Sequence, residues 1–149
     1  MKFHVPKTLK FEHEQLHQEL PNATNVGGRV ADAAIAVAEI LHPHFLNEEE
    51  YALPPLGLLP LLAEGIVKPK MRAAFKMTDK LKAELPQMLE EHKAMVSALR
   101  KLAEIAKNEK KIEYARLAEK LILHAQLEEE VNYPTAILIG EYLKSKLAK

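Results

Sequence analysis

Two eleven-residue segments in the second and fourth quarters of the chain carry the same chemistry in the same order: HFLNEEEYALP from His44 and HAQLEEEVNYP from His124. Each is a histidine, three glutamates starting four residues later, and a proline ten residues after the histidine. A second match lies upstream of each, where Glu12, His13, Leu16 and Leu20 align with Glu91, His92, Met95 and Leu99 at identical spacing. His13 and His44 are 31 residues apart, and His92 and His124 are 32 apart, so the chain reads as two copies of one two-helix hairpin with its histidines paired. Two such hairpins bury their apolar faces by stacking, which predicts an all-α four-helix bundle with a pseudo-two-fold axis.

The breakers agree with that division. The first helix starts near Lys7 and ends between Pro21 and the Gly27, Gly28 pair, and the second runs from Arg29 to the double proline at Pro54 and Pro55. After a short apolar connector, LGLLPLLAEG, the third covers about Lys70 to Lys107 with a bend expected at Pro86. The fourth covers about Lys110 to Lys146. Short links make neighbouring helices antiparallel, so the predicted order is up-down-up-down. With 149 residues there is enough chain for one substantial core, and residues 1–149 are read as a single domain. Scarce glycine and few aromatics, with no strand pattern, leave no sheet-containing alternative.

Position along the helices places the histidines together. His92 lies 17 residues before Glu109 and His124 lies 15 after it, so at about 1.5 Å per residue they stand at similar heights. His13 and His44 are similarly placed about the diglycine turn, so all four can share one layer. A helix turns about 100° per residue, which brings the residue four positions on to within about 40° of the first and sends the fifth to about 140°. Glu48 and Glu128 therefore share a face with His44 and His124, while Glu49, Glu50, Glu129 and Glu130 turn towards neighbouring helices or solvent.

A single histidine on an apolar face is usually a satisfied core residue, and a glutamate run is usually a solvated face. Here the joint pattern spans four helices, and burying these groups without a cation would cost several kcal/mol. The chain has no cysteine, so a metal must rely on imidazole and carboxylate ligands. His13, His44, Glu48, His92, His124 and Glu128 are the candidates, with His17, one turn beyond His13, as a possible additional ligand. Such a set suits two borderline-hard cations bridged by carboxylates: two iron ions first, manganese or zinc as alternatives. His4 and His42 are read as bystanders, and Tyr51, seven residues after His44, as a packing residue on the metal-facing side.

Lys plus Arg and Asp plus Glu each number 21, so no electrostatic footprint for nucleic acid or an anionic membrane is present, and neither partner is expected. The N-terminal residues lack an apolar signal core and no apolar run approaches bilayer length, which makes a cytoplasmic location the expectation.

With His13 on the first helix, HxxxE at His44 and Glu48, EEH at His92, and HxxxE at His124 and Glu128, the chain resembles the hemerythrin-like, HHE cation-binding family over nearly its whole length. The resemblance implies a carboxylate-bridged di-iron centre, often with reversible binding of dioxygen or a related small ligand at an open iron position. Respiratory hemerythrins carry HxxxH on the third helix, where this chain has Val96, and an aspartate five residues after the fourth-helix histidine, where this chain has Glu129. The HxxxH of this chain is instead on the first helix, at His13 and His17, which places the expected open position near Val96. A ferritin-like or rubrerythrin-like oxidase ranks second, because only Glu14 and His17 show its Glu-x-x-His spacing. With no acid, base or nucleophile evident beyond the ligands, the expected function is binding or sensing of a small diatomic ligand (dioxygen or nitric oxide) or of iron. The alternative is a di-iron enzyme that reduces or detoxifies dioxygen, peroxide or nitric oxide, and a metal-free interaction module would leave the repeated HxxxE unexplained.

Overall fold

The computed structural model describes residues 3–147, and these are helical nearly throughout. Helix α1 spans Lys7–Thr24 and α2 spans Gly28–Asn47. A π turn at Glu48–Ala52 continues α2, followed by a 3-10 turn at Pro54–Leu58 and the short α3 at Leu59–Ala63. After a 3-10 turn at Pro69–Ala73, α4 runs over Ala74–Asn108. Helix α5 covers Ile112–Leu127, a second π turn covers Glu128–Asn132, and α6 completes the line over Tyr133–Leu147. Four long rods result, namely α1, α2 with its π turn, α4, and α5 joined to α6, and they pack together as an all-α bundle.

Helix α1 runs through Pro21 and ends at Thr24, between Pro21 and the Gly27, Gly28 pair as expected, and α4 runs through Pro86 as one helix. The chain reverses at Gly27 and Gly28, both at positive φ (75° and 68°), a conformation that favours glycine because it lacks a Cβ. The second and fourth rods are also not uniform α-helices, since each passes through a π turn that begins on the first glutamate of its EEE run.

The π turns follow from the repeated proline. A proline within a helix has no N–H, and its ring clashes with the carbonyl four residues back, here that of Glu50 for Pro54 and of Glu130 for Pro134. Widening the preceding turn relieves that contact: Leu53 N–H donates to the carbonyl of Glu48, and Tyr133 N–H to that of Glu128, each five residues back.

Two apolar clusters fill the bundle. One gathers Leu16, Leu20, Val37, Leu41, Phe45, Met95, Leu99 and Leu121 around the α1–α2 and α4–α5 turns. The other gathers Tyr51, Leu53, Met71, Leu81, Met88, Tyr133 and Leu143 at the opposite end. Along every rod the conspicuous histidines lie at the boundary between them: His13 between Leu9 and Leu16, His44 between Leu41 and Tyr51, His92 between Met88 and Met95, and His124 between Leu121 and Tyr133. A polar layer is thus closed on both sides by hydrocarbon.

Candidate metal centre

Six side chains from the four rods meet in that layer, and none is more than 5% exposed: His13, His44, Glu48, His92, His124 and Glu128. They form two overlapping groups. His13, Glu48, His124 and Glu128 make one, and His44, Glu48, His92 and Glu128 make the other, with the candidate ligand atoms of each group all within 4.8 Å of one another. Both carboxylates are common to the two groups. Glu48 sends Oε1 to within 2.5 Å of His44 Nε2 and Oε2 to within 3.3 Å of His13 Nε2. Glu128 sends Oε1 to 3.5 Å from His92 Nε2 and Oε2 to 3.4 Å from both His13 and His124 Nε2. Each carboxylate therefore spans from one histidine pair to the other.

The donors fit a cation and fit poorly without one. Both oxygens of Glu48 and Nε2 of His124 are buried with no hydrogen-bond partner, because the short approaches to Glu48 are not aligned as hydrogen bonds. The Nε2 atoms of His44 and His92 stand only 2.7 Å apart. A buried, unpaired carboxylate is costly, and a positive ion between the imidazoles and the carboxylates satisfies all of these atoms together. The buried His/Glu groups can hold a metal ion.

Behind the imidazoles lies a second ring of acids that also obeys the repeat. Glu12 reaches His124 Nδ1 at 2.5 Å, and Glu91, its counterpart, stands 3.6 Å from His44 Nδ1. Glu129 accepts from His92 Nδ1 at 3.0 Å, and its counterpart Glu49 stands 3.8 Å from His13 Nδ1. All four rings thus point Nε2 inward with a carboxylate on the Nδ1 side, and at His92 and His124 that carboxylate is hydrogen-bonded, the arrangement that fixes tautomer and raises ligand basicity, while Nδ1 of His13 and of His44 is buried without a hydrogen-bond partner. Their signal was present in the sequence as the Glu-His pairs at 12–13 and 91–92 and as the glutamate following each inward one. Glu50 and Glu130 are exposed.

Burial alone would push the Glu48 carboxyl up, but the His13 and His44 imidazoles pressed close against its two oxygens hold it down at about 2. Burial also opposes protonation of His44, yet Glu48 and Glu91 outweigh it and raise that imidazole. His92 is lowered, first by burial and then by the charge of His44, and His124 is lowered by burial and by His13.

The structure does not bring His17 to the cluster. Its Nε2 lies 3.3 Å from His42 Nδ1 and its ring meets Phe45 edge-on, so the expected fifth imidazole is turned away. Phe45 occupies the space instead, stacked on His13 with ring centroids 4.5 Å apart. Tyr51 is buried and donates to Met88 Sδ at 3.6 Å. Sequence reasoning passed over Tyr133, whose hydroxyl lies 3.2 Å from Nε2 of both His44 and His92. Burial first, and then the charge of Glu48, raise its phenol well above the usual range.

No family model matches the chain, and comparisons with curated proteins and with solved structures give no match. Among the described residues, no helix is long and apolar enough to cross a membrane.

Proposed function

We propose that the chain is a hemerythrin-like, up-down-up-down bundle that holds two iron ions and binds or senses dioxygen, nitric oxide or iron itself. The observation that carries this reading is the sharing of Glu48 and Glu128 by two histidine pairs, His13 with His124 and His44 with His92. Two neutral imidazoles and two half-shared carboxylates on each side match the demands of a borderline-hard divalent cation, and manganese or zinc meets the same donors less selectively. When bound, an iron pair would supply reversible coordination of a small ligand and exchange of electrons with it.

The residues contribute position and dryness. Glu129 and Glu12 orient the His92 and His124 rings through Nδ1, Glu48 and Glu128 hold negative charge at the centre, and the flanking apolar clusters exclude bulk water. None of the described side chains around the site is arranged as a separate nucleophile and base, which favours binding over turnover.

Metal analysis of protein purified from iron-replete cells tests the reading, with about two iron ions per chain expected from the two donor groups. His44→Ala and His124→Ala should each lower metal content and thermal stability together, because a buried ion couples to folding. Glu48→Ala and Glu128→Ala should do at least as much damage, while Glu50→Ala and Glu130→Ala leave both measurements unchanged. Full metal content in both histidine variants would refute the assignment, and multiple turnover with an electron donor would move the reading to the enzyme alternative.

A further inference from the structure

The repeat that organises the centre breaks at one buried polar group. Tyr133 stands nine residues after His124, and the residue nine after His44 is Leu53. Both are buried, yet only the His44–His92 side has a phenol aimed at it. The break is echoed one residue past each histidine, where Phe45 stacks on His13 while its counterpart is Ala125. One half of the pseudo-symmetric centre is therefore walled by hydrocarbon and the other is furnished with an oxygen donor.

The phenol oxygen has the position of a ligand. It is 3.2 Å from each of two Nε2 atoms that are themselves 2.7 Å apart, so the three donors form a small triangle. Donors bound at about 2.0–2.2 Å to one ion, with angles between octahedral and tetrahedral, stand roughly 3.0–3.5 Å from each other. Glu48 Oε1 and Glu128 Oε1 lie on the same side, 2.5 Å from His44 Nε2 and 3.5 Å from His92 Nε2 respectively. Tyr133 thus stands at a vertex of the same coordination sphere rather than behind a ring. Its hydroxyl is hydrogen-bonded only within the centre, to the two ligand-type nitrogens and towards the Glu48 carboxylate, which leaves no structural duty outside that centre for a fully buried O–H.

We propose, on the basis of the metal reading above, that Tyr133 is a protein ligand of the metal between His44 and His92. That position then has two nitrogens and three oxygens, against two nitrogens and two oxygens at the His13–His124 position, and the two ions are inequivalent. On ligation the phenol O–H bond breaks, the proton leaves to solvent and the phenolate lone pair binds the ion, with no change in oxidation state. A hard anionic oxygen favours the trivalent over the divalent ion, so the His44–His92 position is the one that holds iron(III) more tightly.

The test reconstitutes the full chain with iron(III) supplied as a weak chelate, measures iron per chain, and records visible absorption and resonance Raman spectra. The parent protein should show a phenolate-to-iron(III) charge-transfer band with tyrosinate ring modes; Tyr133→Phe, which keeps the packed ring, should lose both, and Tyr51→Phe should keep both. A tyrosine that only orients the two histidines would weaken iron binding on substitution but never give the band. Bound iron with no such band in the parent, or a band that survives Tyr133→Phe, overturns the assignment of Tyr133 and leaves the di-iron reading standing. Failure to bind iron at all removes both.

Discussion

At each imidazole the inner and outer nitrogens face different acids, and the outer contacts are unequal. Glu12 and Glu129 lie within hydrogen-bonding distance of His124 and His92, whereas Glu91 and Glu49 stand off from His44 and His13. Loss of an outer partner typically costs about 10- to 100-fold in metal affinity. Glu12→Gln and Glu129→Gln are therefore expected to fall in that range by chelator competition, Glu91→Gln and Glu49→Gln to lose less, and His17→Ala to match the parent. An equal loss in all four glutamine variants would show that net charge, rather than ring orientation, is what these acids supply. Acid should act through Glu48. Its carboxyl sits at about 2 in the folded chain against an ordinary 4.5, so it binds its proton less readily when folded, and its contribution to stability is complete above 4.5 and lost as the pH falls towards 2. Chelated protein should unfold over that window, and Glu48→Gln should flatten the dependence. His44 has the opposite sign: being raised, its contribution is present below 6.5 and lost at higher pH, and metal must displace its proton. The six inward residues were legible because the i to i+4 relation survives at His44–Glu48 and His124–Glu128, where the rods are still α-helical. His17, left open between a ligand and a structural role, lies outside the cluster because a one-turn step along α1 brings it to the level of Phe45 and His42, past the polar layer.

The same helical arithmetic that finds the glutamates loses Tyr133. Nine residues at about 100° each put it roughly 180° from His124, on the far side of a regular helix. The π turn at Glu128–Asn132 takes up one extra residue and turns everything beyond it back by roughly 100°, towards the site. Its sequence signal was the proline ten residues after each histidine, visible as part of the repeat but read as a helix end at Pro54 and passed over at Pro134. Pro134→Ala removes the ring that disfavours the ordinary i to i−4 register and is expected to let this segment relax towards α geometry, withdrawing the Tyr133 hydroxyl. Iron affinity should then fall without loss of any of the six inward residues, and the absorption of Tyr133 as a ligand should weaken. Parent-like affinity and spectrum would mean that packing of Tyr133, Ala136 and Ile139 in the far core holds the π turn by itself. The helix count was legible from breakers and periodicity, while the interiors of the second and fourth rods were not, because π turns keep the residue types of the helix they interrupt.

Across the whole molecule the polar layer is closed by a core at each end, so a ligand from solvent must enter between rods. A groove with a cavity of about 620 Å³ runs along α1 and α5 and is lined by Glu12, Leu16, Leu123, His124, Leu127 and Glu130 among others. His124 is the one of the six inward residues that lines it, on the side of the centre away from the Tyr133 hydroxyl. The expectation of an open position near Val96 depended on His17 as a ligand of the other metal, and that premise does not hold. A smaller groove of about 400 Å³ lies against His92 and Val96. If Tyr133 is a ligand as proposed, the position with fewer protein donors is the one between His13 and His124, which the larger groove approaches at His124. Azide or nitric oxide is therefore expected to bind there. Leu123 is 66% exposed at the groove wall, so Leu123→Trp can cover its mouth without entering the core. The variant should keep parent-like metal content and melting temperature while its azide association rate falls several-fold by stopped flow, whereas Val96→Trp, beside His92, should leave that rate unchanged. The reverse order of the two effects would place the open position on the Val96 side.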